Sequence, residues 1–206
     1  MTGKTFFCSS VSVLACLIVF SGCGNREAYN KKHYILNAAR RGESIETETD
    51  SILEVRRFTI DSAFGGKGLV YRTGEFEYES DFYSEFLVSP AAMITEKARN
   101  WLSESGLFQT VLDVGSQIDP THVIEANITA MYGDFRDKLS PEATIEMRIF
   151  LLETEAGGES VPVFGKKYQS SVGIESEGSE ALVKALDKCL EDILSSLEKD
   201  LIERPD

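Results

Sequence analysis

Two runs of strict alternation constrain this fold more than any other feature of the chain. In residues 123–132, Ile124, Ala126, Ile128, Ala130 and Tyr132 share one parity, and in residues 143–151, Ile145, Met147, Ile149 and Leu151 oppose Thr144, Glu146, Arg148 and Phe150. Successive side chains of a strand point to opposite faces, so each run is a strand with one apolar face that must be covered. A cover is legible further on. From Ser179 onward, Leu182, Leu186, Cys189 or Leu190, Ile193, Leu197 and Leu201 recur at spacings of three and four. That is an amphipathic helix of about 20 residues and ~30 Å at 1.5 Å per residue. It has too few heptads for a coiled coil, so it reads as a helix packed on a sheet.

The remaining elements follow from similar signals. His33-Tyr34-Ile35-Leu36 is a short strand, and a charged loop over residues 40–50 leads to a strand at 52–60 with Leu53, Val55, Phe58 and Ile60 inward. Gly65-Gly66-Lys67-Gly68 breaks the chain before Leu69-Val70-Tyr71-Arg72. It lacks the GxxxxGK[ST] spacing of a phosphate loop and reads as a turn that needs positive φ. Ser89-Pro90 starts a helix, with serine as cap and proline in the first turn. Ala91, Ile94, Ala98, Trp101 and Leu102 form its apolar stripe, and Gly106 ends it. Residues 108–114 and 161–172 complete the strands, and Pro162 favours an edge position for the last.

The amino terminus is built for export. Lys4 precedes an apolar run over residues 6–20 that is interrupted by Ser9, Ser10 and Ser12 and closes on Ser21-Gly22-Cys23. This is a secretory signal, too short and too interrupted to be read first as a membrane span. Phe20-Ser21-Gly22-Cys23 resembles the bacterial lipobox, whose cysteine is acylated and becomes the new amino terminus. Val13-Leu14-Ala15-Cys16 also fits that pattern, but cleavage there would shorten the apolar segment and strand Leu17 and its neighbours on the exported chain. Cys23 is the preferred site. The expected organisation is therefore a signal peptide over residues 1–22, the lipidated cysteine and tether over 23–32, and a single domain over 33–206. As a flexible coil, the polar tether after Cys23 would reach ~15 to 18 Å.

Cysteine and charge agree with this plan. Cys8 and Cys16 leave with the signal and Cys23 takes the lipid, so Cys189 is the lone thiol of the exported body and must be buried to be safe in an oxidising compartment. The chain carries 21 basic and 34 acidic residues, a net charge of −13, and the signal removes only Lys4 from that balance. Such a surface repels phosphate backbones, which excludes nucleic acid as an expected partner. It also offers no polybasic patch, so the acyl chains must do the anchoring.

Chemistry is poorly represented. His33 and His122 are the two histidines, and no HxxxH, HExxH, CxxC or GxSxG spacing occurs. Ser170-Ser171 has no histidine nearby in sequence, Asp134 and Asp137 read as a solvated turn, and the Asn127-Ile128-Thr129 sequon lies inside a strand. No enzymatic activity, cofactor or metal is expected.

Tyr34-Ile35-Leu36, Leu69-Val70-Tyr71-Arg72, the segment from Tyr83 through Ser89-Pro90-Ala91-Ala92-Met93, and Leu102-Ser103-Glu104-Ser105-Gly106-Leu107-Phe108 together resemble the ABC-type transport auxiliary lipoproteins. These are accessory to lipid transporters built around MCE-domain proteins. Phe86 stands where many members have tryptophan. The resemblance implies an α/β fold, a mixed, largely antiparallel sheet with helices packed on it; periodicity sets the count at about five or six strands and two main helices. It also implies a non-catalytic periplasmic lipoprotein that docks on the MCE-domain component of a transport system for phospholipid or another hydrophobic solute. Outer-membrane anchoring is expected because Gly24, not aspartate, follows Cys23, and self-association is left open. An independent lipoprotein that binds a small ligand or assists outer-membrane assembly is the alternative. Within residues 76–86, Phe76, Tyr78, Phe82, Tyr83 and Phe86 interleave with acidic residues and outnumber what one strand face can bury. Tyr78, Phe82, Tyr83 and Phe86 are the expected partner surface.

Overall fold

A computed structural model describes residues 30–45, 50–155 and 158–204. The signal segment and Cys23 lie outside the described residues. From Lys31 onward the described chain is one compact unit. Its strands are β1 (Lys32–Tyr34), β2 (Ile52–Val55), β3 (Thr59–Ile60), β4 (Gly68–Arg72), β5 (Tyr78–Phe86), β6 (Thr110–Val111), β7 (His122–Asp134), β8 (Glu142–Thr154) and β9 (Ser160–Gly173). The helices are α1 (Pro90–Ser105) and α2 (Ser179–Ile202). The sheet is mixed, with its long ladders antiparallel, and two helices cover one face.

Strand β7 organises everything else. One edge carries β8 in antiparallel register from His122 opposite Glu153 to Asp134 opposite Glu142. The other edge is shared, in order along β7, by the short parallel partners β2, β3 and β4. The expected strand at 52–60 is thus two pieces. Phe58 turns into the core between them, its N–H donating to Thr95 Oγ1 of α1 at 3.0 Å. The expected strand at 108–114 contracts to β6, because only Thr110 and Val111 find a partner on β2.

The alternation in β8 is realised as read: Ala143, Ile145, Met147, Ile149 and Leu151 are all buried. In β7 it is broken by one residue. The register jumps between Ile128 and Ala130, leaving Thr129 unpaired in the ladder, and Met131 takes the core-facing place that strict parity gave to Tyr132. Strand β9 pairs with β8 alone and is an edge, as Pro162 suggested.

Helix α2 lays Leu182, Leu186, Cys189, Leu190, Ile193 and Leu197 onto this face, all buried. Each such side chain contributes roughly 1.5–3 kcal/mol relative to exposure. The Cys189 thiol donates to the Ala143 carbonyl at 3.3 Å, and burial pushes its pKa up to about 11, so it is an inert thiol. Helix α1 starts with Ser89 Oγ accepting from Ala92 N–H and stops at Gly106, φ 73°, where a Cβ would strike the Ile45 carbonyl. The two helices and the segment after β1 are tied together by Glu198, which accepts from Arg40 and from Trp101 Nε1 at 2.7 Å. Hydrogen bonding to Glu198 raises the Arg40 pKa despite burial.

Candidate docking surface

The aromatic segment owes its form to one irregularity. Gly68 of β4 faces Glu85, whereas Val70 faces Ser80, so Leu69 alone spans the interval that Asp81, Phe82, Tyr83 and Ser84 occupy on β5. The three additional residues are an odd number, and an odd insertion reverses which face each later side chain occupies. Tyr78 and Phe86 share parity in sequence yet lie on opposite faces of the sheet. Gly68 makes this possible: a Cβ there would strike Ser80 Oγ and approach the Asp81 carbonyl to 2.6 Å. The glycine cluster was expected to supply positive φ, but neither Gly65, Gly66 nor Gly68 adopts it. Close backbone approach is the reason glycine is needed.

The bulge is held from inside. Asp81 accepts from the backbone N–H groups of Tyr83 at 2.7 Å and Ser84 at 2.9 Å, while Tyr71 donates its hydroxyl to the other carboxylate oxygen at 3.0 Å. Ser179, at the start of α2, donates to Ser84 Oγ and lies 3.3 Å from the Tyr71 hydroxyl. Burial opposes ionisation of Asp81, but these donors outweigh it and hold the carboxyl below its ordinary range. Burial pushes Tyr71 up to about 12. This network extrudes Phe82 and Tyr83 from the sheet as a ridge, their rings meeting edge to face at 5.2 Å with Lys31 Nζ over the Phe82 ring at 4.6 Å.

The four expected interface residues therefore separate. Phe82 is 68% exposed, Tyr83 46% and Tyr78 44%, but Phe86 is 3% exposed and packs in the core beyond the bulge. Phe86 is withdrawn from the surface for that reason. Tyr78 sits on the outer sheet face with Phe64 and Tyr132 at 6.1 and 5.6 Å, and Arg72 lies over its ring at 5.5 Å. Arg72 also holds the turn after β4 through the Gly74 and Glu75 carbonyls, which leaves Phe76 projecting at 90% exposure. Sequence reasoning missed Ile35, Leu87 and Val88, all exposed beside the ridge. Their signal was present: an apolar Phe86-Leu87-Val88 run longer than one face can hide.

Elsewhere, the acidic turn is an ion-paired surface feature. Arg136 donates to Asp134 through its backbone N–H and two guanidinium nitrogens, Arg72 also approaches Asp134, and Asp137 caps the turn through Leu139 N–H. His122 lies beside Thr121, and burial lowers its pKa; His33 faces Glu85 at 3.5 Å. Ser170 donates to Asp192 and Ser171 pairs with Thr144. Among the described residues, no group of histidine, cysteine and carboxylate side chains is placed to hold a metal. An open groove of about 880 Å³ runs between α1 and the loop after β6, lined by Arg57, Arg99, Val114 and Ile118 among others.

No protein-family model matches the chain, and neither does any curated protein sequence. Solved structures share its fold. The protein XCC0632 from Xanthomonas campestris, of the DUF330 family, is 15% identical with a TM-score of 0.68 over 83% of this chain and 95% of its own. An uncharacterised protein is 13% identical with a TM-score of 0.64 over 84% and 99%. The hypothetical protein CT253 from Chlamydia trachomatis is 10% identical with a TM-score of 0.52 over 76% and 100%. At such identities, what is shared is the α/β architecture.

Proposed function

We propose that this chain is a non-catalytic lipoprotein, anchored through Cys23 on the periplasmic side of the outer membrane, that docks on the MCE-domain component of an ABC-type lipid transporter. The observation that carries the reading is the outer sheet face at Tyr78, where Phe64, Tyr132 and Arg72 gather around a half-exposed tyrosine and Phe76 projects beside it. Aromatic residues with an arginine are a composition typical of protein interfaces, because they supply large area at little rotamer cost. The lipobox at Cys23 and the sequence resemblance supply the compartment and the class of partner.

The groove lined by Arg57, Arg99, Val114 and Ile118 favours the alternative, an independent lipoprotein that binds a small ligand. One experiment separates the two. Palmitate labelling and fractionation should find the wild-type chain labelled and membrane-bound and the Cys23→Ser chain unlabelled and soluble. Tyr78→Ala should stay folded and labelled yet lose about tenfold or more in co-purification with the MCE-domain protein, the usual scale of a hot-spot loss. A labelled Tyr78→Ala chain that co-purifies like wild type would overturn the docking site, and an unlabelled wild-type chain would overturn the lipoprotein.

A further inference from the structure

We infer that the ridge at Phe82 and Tyr83, with Ile35, Leu87 and Val88, rests on the lipid headgroup region of the membrane that holds Cys23 and so fixes the orientation of the domain on the bilayer. This rests on the lipoprotein reading above. Three observations carry it.

The first is where the tether joins. Strand β1 begins at Lys32, which pairs with Ser84, the residue after Tyr83. A chain of the length between Cys23 and Lys32 spans at most ~30 Å even fully extended, at 3.3–3.6 Å per residue. Because β1 is parallel to β5, the chain before Lys32 runs back past the ridge, with Lys31 over the Phe82 ring, so the tether meets the domain beside Phe82 and Tyr83.

The second is composition. Phe82 and Tyr83 are extruded together, and Leu87, whose N–H bonds the Tyr34 carbonyl at 2.9 Å, lies beside Ile35, so the exposed apolar residues form two groups that flank the three residue pairs of β1 and β5. A phenyl ring, a phenol and aliphatic side chains suit the boundary between headgroups and acyl chains, where a tyrosine keeps its hydroxyl wet and its ring in hydrocarbon.

The third is charge. In a chain of net charge −13, this corner carries Lys31, Lys32 and Lys67, whose amine caps the Leu87 carbonyl at 2.9 Å. The carboxylates of this corner are each engaged: Glu85 by Lys31 at 3.1 Å beside His33, Asp81 by Tyr71 and the N–H groups of the bulge, and Glu180, near Lys32, by Lys184 at 2.8 Å. Glu75, Glu77 and Glu79 all precede the bulge. Lysines beside apolar side chains keep their amines at headgroup level while their stems lie against hydrocarbon. The patch is too small to anchor the chain. Its effect is to select one of the orientations that a flexible tether permits.

The test uses the full-length lipidated protein reconstituted in vesicles of phosphatidylethanolamine and phosphatidylglycerol, plain or with brominated acyl chains that quench indole at contact. Trp101 is buried and bonded to Glu198, so the wild-type chain sets the baseline. Tyr83→Trp and, independently, Phe82→Trp should lose at least half of the added emission in brominated vesicles, whereas Leu139→Trp, on the fully exposed turn before β8, should lose none. A palmitate-labelled, vesicle-bound chain with neither ridge indole quenched overturns the membrane contact alone. A chain that incorporates no label overturns the lipoprotein reading and this one with it. An unquenched ridge whose Phe82→Ser variant no longer co-purifies with the MCE-domain protein would assign the ridge to that protein and not to lipid.

Discussion

Helix α2 and strand β5 are both rich in large apolar side chains, and the protein treats them oppositely. Along α2 the positions that helical spacing assigned to the apolar stripe are buried against β8 and its neighbours from Leu182 to Leu197, and Leu201 is partly buried. Along β5 parity assigned Phe76, Tyr78, Phe82 and Phe86 to one face, yet only Phe86 is buried. Helix α2 runs unbroken from Ser179 to Ile202, each interior backbone N–H committed to the carbonyl four residues back, so its stripe keeps one phase. Strand β5 does not: added residues are expelled as a bulge, and every side chain beyond them changes face. The difference separates the part of this protein that makes it stable from a part that it leaves exposed to solvent.

The largest effects should lie on the buried side of that contrast. Phe86→Ala should cost ~3–5 kcal/mol and Ile193→Ala ~2–5 kcal/mol, while the volume-conserving Ile193→Leu should cost less than ~1.5 kcal/mol, all read from denaturant midpoints. An unchanged midpoint for Ile193→Ala would mean that the stripe of α2 is not core.

A smaller effect should appear at the device that makes the contrast. Asp81→Asn keeps an acceptor for the backbone N–H groups but turns an amide toward the Tyr71 hydroxyl, so the loss at neutral pH should be ~1–2 kcal/mol. The pH profile carries the sign. Because the folded state holds Asp81 below its unfolded value of ~3.9, its contribution is complete above that pH and is lost as pH falls through the lower folded value. Asp81→Asn should therefore flatten the acid limb. Part of the limb will remain, since hydrogen bonds from Arg136 and Lys166 lower Asp134 and Asp200 in the same direction. Burial raises Asp187, which works the opposite way.

The smallest effect belongs to the exposed side. Phe82→Ala should shift the midpoint by no more than ~0.5 kcal/mol, as for surface positions generally. A loss as large as that of Phe86→Ala would show that the ridge is a structural element and would erase the contrast.

Much of the fold was legible because periodicity reports burial directly. Both helices, the Ser89 and Gly106 caps of α1, the alternation of β8, the edge position of β9 and the buried Cys189 all follow from spacing and residue type. What was not legible depended on partners distant in sequence. Residues 52–60 read as one strand because the turn of Phe58 into the core is imposed by Thr95 on α1. The shift at Thr129 and the larger one at residues 81–84 are set by registers with β8 and β4 that no local pattern encodes. The candidate surface was found by its surplus of rings, and misjudged at Phe86 because parity was carried unbroken through a bulge.

The arrangement around β7 bears on how the chain reaches its folded state. Strands β2, β3 and β4 all precede β7 in the chain, and each pairs with it in parallel over only two or three residues. Until residues 122–134 have emerged, from ribosome or export channel alike, Leu53, Val55 and Phe58 have no sheet to complete, and the cover from α2 arrives last of all. Closing such long loops costs entropy before any contact rewards it, so assembly should be slow and late and not progressive from the amino terminus. A chain of this topology spends that interval with unpaired strand edges and apolar side chains in water, the condition in which chaperone holdases are needed.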